Sequence, residues 1–208
     1  MLKSPPKWHK AIAVFILLFI GLPVLISAQN NPDVDDWDDF RTDLYARGDQ
    51  TFIISLGITV PIAFLNNGSA RDMKFSSPVG GGGSLSYNYF LNSNMFFGAE
   101  LNCAFLTSVN GDTLFILPLG GRIGYQFLVW KLEVPVFASI GMAWHRFLGL
   151  GYFGLYTKGG VSAYYRPTTN WSFGLSSNIY WLPEWTNDKS KNMDGIVMDF
   201  TLSARYHF

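Results

Sequence analysis

Ionisable side chains stand singly, among small or apolar neighbours, along much of this chain. An isolated charge in such surroundings is costly unless an opposite charge or a hydrogen-bonding group meets it. The simplest chemistry that these residues predict is therefore a buried network of ion pairs rather than a reaction. We expect Arg122, Lys158 and Arg205 to meet Glu100, Glu133 and Asp199, with Lys131 and His145 as further candidates on the same side.

Catalysis and metal binding have few candidate residues. Hydrolysis by a covalent route needs a nucleophile within reach of a base. Beyond residue 28 the histidines are His145 and His207, and His145 is followed by Arg146 and Phe147 rather than by a serine. Cys103 is the single cysteine, so no internal disulfide is possible. We therefore predict no catalytic residues, no metal site and no cofactor.

The charged residues follow the two-residue period of β-strands, which point alternate side chains to opposite faces. The closing segment is the clearest case, because one face is apolar or aromatic and the other carries Asp199, Ser203 and Arg205. Each alternating run reaches the roughly 9–11 residues of a tilted membrane crossing. The runs are Thr51–Phe64, Val79–Phe90, Met95–Thr107, Leu114–Phe127, Lys131–His145, Leu155–Tyr165, Trp171–Trp181 and Gly195–Phe208.

The bulk composition favours lipid over water as the medium around these strands. Charged residues make up 14% of the chain and aromatic residues 17%, whereas a soluble domain averages about 25% charged residues. A soluble lipocalin-like barrel would place apolar side chains inside and charges outside. Here nearly all strand charges share the face of the small residues. The sequence therefore predicts an all-β fold, an eight-stranded antiparallel up-and-down transmembrane β-barrel with a charged lumen.

The connections differ between the two ends of the predicted barrel. Short turns at one end and long loops at the other are typical of an outer-membrane barrel with both termini in the periplasm. Tight turns are predicted near Leu91–Asn94, Leu128–Trp130 and Pro167–Asn170. Longer loops are predicted at Asn66–Pro78, Phe147–Gly154 and Pro183–Asp194, whereas Ser108–Thr113 is a short hairpin tip.

Glycine and proline interrupt some of these strands. Gly80–Gly83 removes side chains from both faces of one strand. Pro61, Pro118 and Pro135 each remove a hydrogen-bond donor from the ladder and are expected to loosen the pairing locally. Two interpretations stay open: ordinary packing accommodation, or a lateral port toward lipid.

The first 49 residues are predicted to precede the barrel. A basic start, an apolar run over residues 11–20 and a small residue at Ala28 match a cleaved signal peptide over residues 1–28. An uncleaved membrane helix is the alternative. Residues 29–49 are predicted to form an acidic periplasmic leader, and residues 50–208 the barrel. The aspartates of the leader lack EF-hand spacing, so we interpret them as solvated rather than as a calcium site: Asp33, Asp35, Asp36, Asp38, Asp39 and Asp43.

The closing residues carry a family resemblance. The chain ends Ala204-Arg205-Tyr206-His207-Phe208. With the signal, the leader and the eight strands, this end resembles the small eight-stranded bacterial outer-membrane barrels of the OmpW/OmpX/OmpA-like porin family over residues 50–208. The resemblance implies a bacterial cell outer membrane location, contact with outer-membrane lipid, and an assembly signal at Tyr206 and Phe208 for the barrel-assembly machinery. Lipid A deacylases of this architecture carry His-x-Ser on one strand, which His145 does not provide.

The expected role is structural, or else the protein provides a narrow passage for a small solute. The resemblance to OmpW-type barrels implies that this solute is apolar. The alternative is a surface-exposed ligand-binding protein or adhesin that acts through its extracellular loops. No nucleic-acid partner is expected, because the 15 basic residues include three in residues 1–28, and the remaining 12 are unclustered and outnumbered by 15 acidic residues. The chain is predicted to be a monomer and not an enzyme.

Overall fold

The computed structural model describes residues 45–66, 69–70, 79–107, 113–147, 150–184 and 193–208. They belong to one compact unit, Asp43–Phe208. The predicted signal peptide and the aspartates of the predicted leader lie outside the described residues. The described ranges contain no helix of the length and apolarity that crossing a membrane would require.

Eight long antiparallel strands form a closed barrel within these ranges. Each strand pairs with its neighbours in chain order, and the first also pairs with the last, which closes the sheet. A two-residue strand, Ser69–Ala70, extends the far end of the first strand. The strands are β1 Gln50–Asn66, β2 Gly80–Phe90, β3 Met95–Thr107, β4 Thr113–Val129, β5 Leu132–Phe147, β6 Leu150–Tyr165, β7 Trp171–Glu184 and β8 Met193–His207.

We call the end of the barrel where β1 begins and β8 ends the N/C end, and the opposite end the loop end. Side chains alternate between exterior and lumen as predicted. On β8, Phe200 and Leu202 are 46% and 70% exposed, whereas Asp199 is 7% exposed. The eight-stranded barrel with an apolar exterior is therefore confirmed. The charged residues predicted for the network all face inward and are buried: Glu100, Arg122, Glu133, Lys158, Asp199 and Arg205.

Two predicted details are wrong. Phe147 pairs with Leu150, so β5 and β6 are joined closely and the predicted loop Phe147–Gly154 is mostly strand. The glycines in that stretch suggest a loop, yet Gly154 faces inward and fits a strand because it leaves space in the lumen. Lys131 is exposed in the turn after β4 and does not face the lumen. The chain reverses at Trp130, which has a φ of 56°.

Each of the three prolines singled out in the sequence coincides with an irregularity in pairing. The β3–β4 ladder is interrupted where Pro118 lies opposite Asn102. The β5–β6 ladder is interrupted at Pro135, and the β1–β8 register shifts between Pro61 and Ala63. The predicted local loosening is confirmed, because proline has no N–H to donate.

The glycine run does not break the wall. Gly80–Gly83 pairs with β1, and Gly81–Gly83 also pairs with β3. On the exterior, the Phe105 ring covers Gly81 so closely that an added Cβ would lie 2.4 Å from it. These contacts favour packing accommodation at this position.

Candidate functional site

The centre of the lumen holds one carboxylate between two cations. Glu100 Oε2 lies 3.3 Å from Lys158 Nζ and 3.6 Å from Arg122 Nη1. Lys158 also donates a hydrogen bond to Asn102 Oδ1 at 2.8 Å, and the Tyr156 hydroxyl donates to Glu100 Oε1 at 3.2 Å. With the residues that continue it, this group is called the central network: Glu100, Asn102, Arg122, Tyr156, Lys158, Asn178, Tyr180 and Asp199.

Asp199 joins the central network through hydrogen bonds from neutral groups. It accepts a bond of 2.6 Å from the Tyr180 hydroxyl and another from the Asn178 amide. The Tyr180 hydroxyl also lies 3.2 Å from Asn102 Oδ1, which connects Asp199 to the group around Glu100. Two carboxyl groups and two cations therefore lie at this level of the lumen.

A second charged group lies nearer the N/C end. Arg205 pairs with Glu133, and the Gln126 amide donates to the same carboxylate at 3.0 Å. Tyr45, which precedes β1, reaches into the lumen and donates to Glu133 Oε2 at 2.8 Å. The Arg205 guanidinium carbon lies 4.1 Å from the centroid of the Tyr164 ring, a cation–π contact. This group is called the mouth cluster: Tyr45, Gln126, Glu133, Arg205 and His207.

His207 connects the mouth cluster to β7. Its Nδ1 lies 3.1 Å from the Tyr45 hydroxyl and its Nε2 lies 2.6 Å from Ser172 Oγ. Because the Tyr45 proton goes to Glu133, we assign the Nδ1–H of His207 as the donor to Tyr45 and the Ser172 hydroxyl as the donor to Nε2. A serine next to a histidine is the geometry of an activated nucleophile, but Ser172 is 0% exposed and offers no access to a substrate.

Two clusters of aromatic and apolar side chains pack inside the lumen, and one ion pair lies toward its loop end. Toward the loop end, His145 Nδ1 lies 3.2 Å from Glu184 Oε1, and the Glu184 side chain is 30% exposed. An aromatic cluster lies toward the N/C end and contains Tyr45, Phe90, Phe96 and Phe137. The apolar cluster nearer the loop end contains Ile116, Ala143, Tyr156, Tyr180, Leu182 and Val197.

Lumen-facing glycines make room for the large side chains. An added Cβ would lie 2.3 Å from the Phe96 ring at Gly124 and 2.8 Å from the Tyr156 ring at Gly141. The interior of an eight-stranded barrel is only wide enough for side chains to fill. Each of these rings therefore depends on a neighbouring residue that has no side chain.

Two small cavities lie among the described residues. One is lined mainly by serine hydroxyls, with Arg122 and Lys158 beside them, and has a volume of about 10 Å³. The other is mostly apolar, lies next to Pro118 and has the same volume, about 10 Å³. A cavity of this size holds about one water molecule. In this closed conformation neither cavity has room for an organic solute.

The structure divides the predicted charges into two groups, one around Glu100 and one around Glu133. Asp199 lies with the first group but is held by Tyr180 and Asn178. The hydroxyl and amide partners were missed because serine, asparagine and tyrosine also occur on wet surfaces, so their type alone does not mark a lumen site.

Tyr45 is a lumen residue that sequence reasoning assigns to a segment outside the barrel. It falls in the predicted leader, where no alternation marks it. The following turn is the available signal: the Asp49 carboxylate accepts a 2.9 Å hydrogen bond from the Ala46 N–H, and Gly48 has a φ of 103°. Asp and Gly favour tight turns, and this turn directs Tyr45 into the barrel.

Comparison with known proteins agrees with this architecture. A protein-family model matches residues 29–206. The structure of Neisserial surface protein A aligns with a TM-score of 0.59 and 10% identity, covering 77% of this chain and 97% of that one. The chain has the fold of the small eight-stranded outer-membrane β-barrels. Ail of Yersinia pestis aligns with a TM-score of 0.47 and 14% identity, covering 78% of this chain and 99% of Ail.

The chain also has relatives by sequence, which are two uncharacterized proteins of Treponema pallidum (strain Nichols). One is 26% identical over 131 residues, which cover 62% of this chain and 59% of the relative. The other is 21% identical over 168 residues, which cover 72% of this chain and 56% of the relative. The chain thus spans less than two thirds of the length of these curated relatives.

The closing aromatic residues lie at the N/C end of the barrel. The Tyr206 ring contacts the rings of Trp171 and Phe208 edge-on, with centroid distances of 5.0 Å and 4.9 Å. The Phe208 N–H donates to the Gln50 carbonyl at 3.0 Å, and the Phe208 side chain is 69% exposed. The two residues of the expected assembly signal are therefore adjacent, and Phe208 is accessible.

Proposed function

We propose that this protein is a closed barrel of the bacterial outer membrane with a structural role, and that its lumen passes no hydrated solute. One observation carries the proposal: the lumen is filled by two ion-paired groups together with an aromatic cluster and an apolar cluster, which share Tyr45, Tyr156 and Tyr180 with them. Removing one partner of a buried ion pair costs about 3–5 kcal/mol. The filling therefore resists rearrangement.

Conductance across planar lipid bilayers tests the closed state. The wild-type barrel is expected to show no steady current. Joint replacement of Glu100→Ala and Arg122→Ala removes one charge of each sign and empties the mid-lumen, so it should raise the conductance. The matched control is Leu101→Ala with Ile123→Ala, because these neighbours face outward. A steady current through the wild-type barrel would contradict the closed lumen. A double variant that still carries no current would contradict the proposal that the central network seals the lumen.

The proposal includes insertion into outer-membrane lipid as a monomer, with Tyr206 and Phe208 presented to the barrel-assembly machinery. The exposed Phe208 side chain supports it. In cells, Phe208→Ala should lower the amount of folded protein in the outer-membrane fraction. Phe173→Ala is the control, because Phe173 is another exposed aromatic residue near the N/C end. Equal loss in both variants would contradict a special role for Phe208.

Sideways passage of a small apolar solute is a second candidate, favoured by one place in the wall. The apolar cavity beside Pro118 is lined both by the outward residue Cys103 and by the inward residues Thr59 and Val197. Pro118→Val would restore the missing ladder donor and should lower octane uptake by cells. Pro135→Val, which repairs an interruption elsewhere, should not. Equal uptake in the two variants would contradict this route.

A further inference from the structure

Tyr45 occupies the lumen at the N/C end as a bound ligand occupies its site. Its ring stacks on the Phe90 ring with a centroid distance of 3.8 Å and an interplanar angle of 6°. The side chain is 2% exposed. The guanidinium carbons of Arg166 and Arg205 lie 5.8 Å and 5.9 Å from its ring centroid. The Phe90 ring thus covers one face of the Tyr45 ring, and two guanidinium groups lie near its π-electrons. The hydroxyl contacts a third kind of group, the Glu133 carboxylate.

Burial raises the pKa of the Tyr45 phenol well above its usual value. The hydroxyl therefore keeps its proton and remains a donor to the Glu133 carboxylate. Because one hydroxyl carries one proton, the second contact at this oxygen, from His207, is an accepted hydrogen bond. The site consequently distinguishes a phenol from a plain aromatic ring by two hydrogen bonds.

The segment that carries Tyr45 lies outside the sheet. The Gly48 N–H donates to the Phe90 carbonyl at 3.0 Å, and the Phe90 N–H donates to the Asp49 carbonyl at 2.9 Å. These backbone bonds hold the base of the turn and leave Tyr45 beyond them. Tyr45 can therefore leave the lumen by motion within residues 45–48, without separation of any barrel strand.

We propose that the N/C end of the lumen is a binding site for a planar aromatic group with a hydroxyl donor, and that the chain fills it with its own Tyr45. Residues 45–49 are then a displaceable stopper. Withdrawal of Tyr45 exposes Phe90, Glu133, Arg205 and His207, and the opened space ends at the central network. The role as a stopper rests on the closed lumen proposed above, whereas the binding site does not.

Ligand binding to a cavity variant tests the site. Tyr45→Ala removes the resident phenol, so the purified variant in detergent should bind p-cresol. Toluene should bind about tenfold more weakly, because it lacks the hydroxyl that bonds Glu133 and His207. Wild type should not bind either compound. Tyr89→Ala controls for partition into detergent, since it removes an outward tyrosine of β2. Binding of p-cresol no stronger than in that control would overturn the site.

Thiol labelling tests the displacement. Ser203→Cys in a Cys103→Ser background places one thiol in the lumen, at a position that is 5% exposed in the wild type. A small water-soluble thiol reagent should label it at least about tenfold faster when Tyr45→Ala is added, because the mouth is then open. Tyr45→Phe keeps the ring but loses the hydroxyl, so its rate should be intermediate. p-Cresol should slow labelling of the Tyr45→Ala protein.

Equal labelling with and without Tyr45 would overturn the stopper. A gel that compares boiled and unboiled samples shows whether each variant has folded. Should Tyr45→Ala not fold, the comparison of Tyr45→Phe with wild type decides, and equal rates in that pair overturn the proposal.

Conductance separates this inference from the proposed function. The central network stays intact in Tyr45→Ala, so thiol labelling should accelerate while the planar bilayer still shows no steady current. Faster labelling together with a steady current would contradict the seal at the central network and support the stopper. The absence of a steady current together with unchanged labelling would contradict the stopper and support the seal at the central network.

Discussion

The two charged groups of the lumen differ in the origin of their members. The central network consists entirely of strand residues, from β3, β4, β6, β7 and β8. The mouth cluster includes Tyr45, which comes from a turn outside the sheet. Closing the barrel therefore assembles the first group directly. The second group also needs the turn before β1 to fold.

The two groups also differ in how their carboxylates are shared. Glu100 is the common partner of Arg122 and Lys158. Glu133 instead collects several donors, among them Arg205 and Tyr45. Loss of Glu100 leaves two buried cations without their shared partner, whereas loss of one donor to Glu133 leaves the others in place. The central network should therefore matter for stability, and the mouth cluster for access to the lumen.

The largest expected effect is that of Glu100→Ala. It should lower the free energy of unfolding by about 3–5 kcal/mol, because buried cations lose their carboxylate. Urea titration in lipid vesicles measures this change. Glu184→Ala removes a partly exposed partner of His145 and should cost less than about 1 kcal/mol. Similar costs for the two variants would remove the basis for treating the central network as the structural centre.

Lys158→Met should cost less than Glu100→Ala, because Glu100 keeps Arg122 as a partner. The double variant Glu100→Gln with Lys158→Met should then cost less than the sum of the single changes, by about 1–3 kcal/mol. A double-mutant cycle on unfolding free energies measures this coupling. Additive costs would mean that the pair does not act as a unit.

Gly48→Ala should weaken the mouth cluster alone. Its φ of 103° is a conformation that residues with a Cβ rarely adopt, so the change should cost about 1 kcal/mol and speed labelling of Ser203→Cys. Gly159→Ala is the control, because an added Cβ there meets no atom within 4 Å. If Gly48→Ala leaves the labelling rate unchanged, the turn does not hold Tyr45 in place.

The smallest effect concerns pH. A raised pKa in the folded state means that Tyr45 contributes its stability fully below its unfolded pKa of about 10. The contribution declines as pH rises above that value toward the folded pKa. The difference in unfolding free energy between wild type and Tyr45→Phe should therefore be constant from about pH 6 to pH 9. A marked slope within that range would contradict a neutral, buried phenol.

Strand alternation was the most informative feature of the sequence. In β8, Asp199 and Arg205 stand between apolar residues, and lipid outside requires the charges to face inward. The beginning of β6 was harder to predict, because glycines are typical of loops as well as of strands that face a crowded lumen. Lys131 is misassigned because alternation alone does not tell whether the first residue of a run already belongs to the strand.

The sequence by itself determined the barrel, its closure order and the inward direction of its charges, because these depend on local periodicity and on the poor solubility of charge in lipid. Only the tertiary structure decided which charges meet. Ion pairing depends on the stagger between strands, and one step of register changes every partner. The tertiary structure also placed Tyr45, since the position of a residue before the first strand depends on one turn and on the space that the closed barrel leaves.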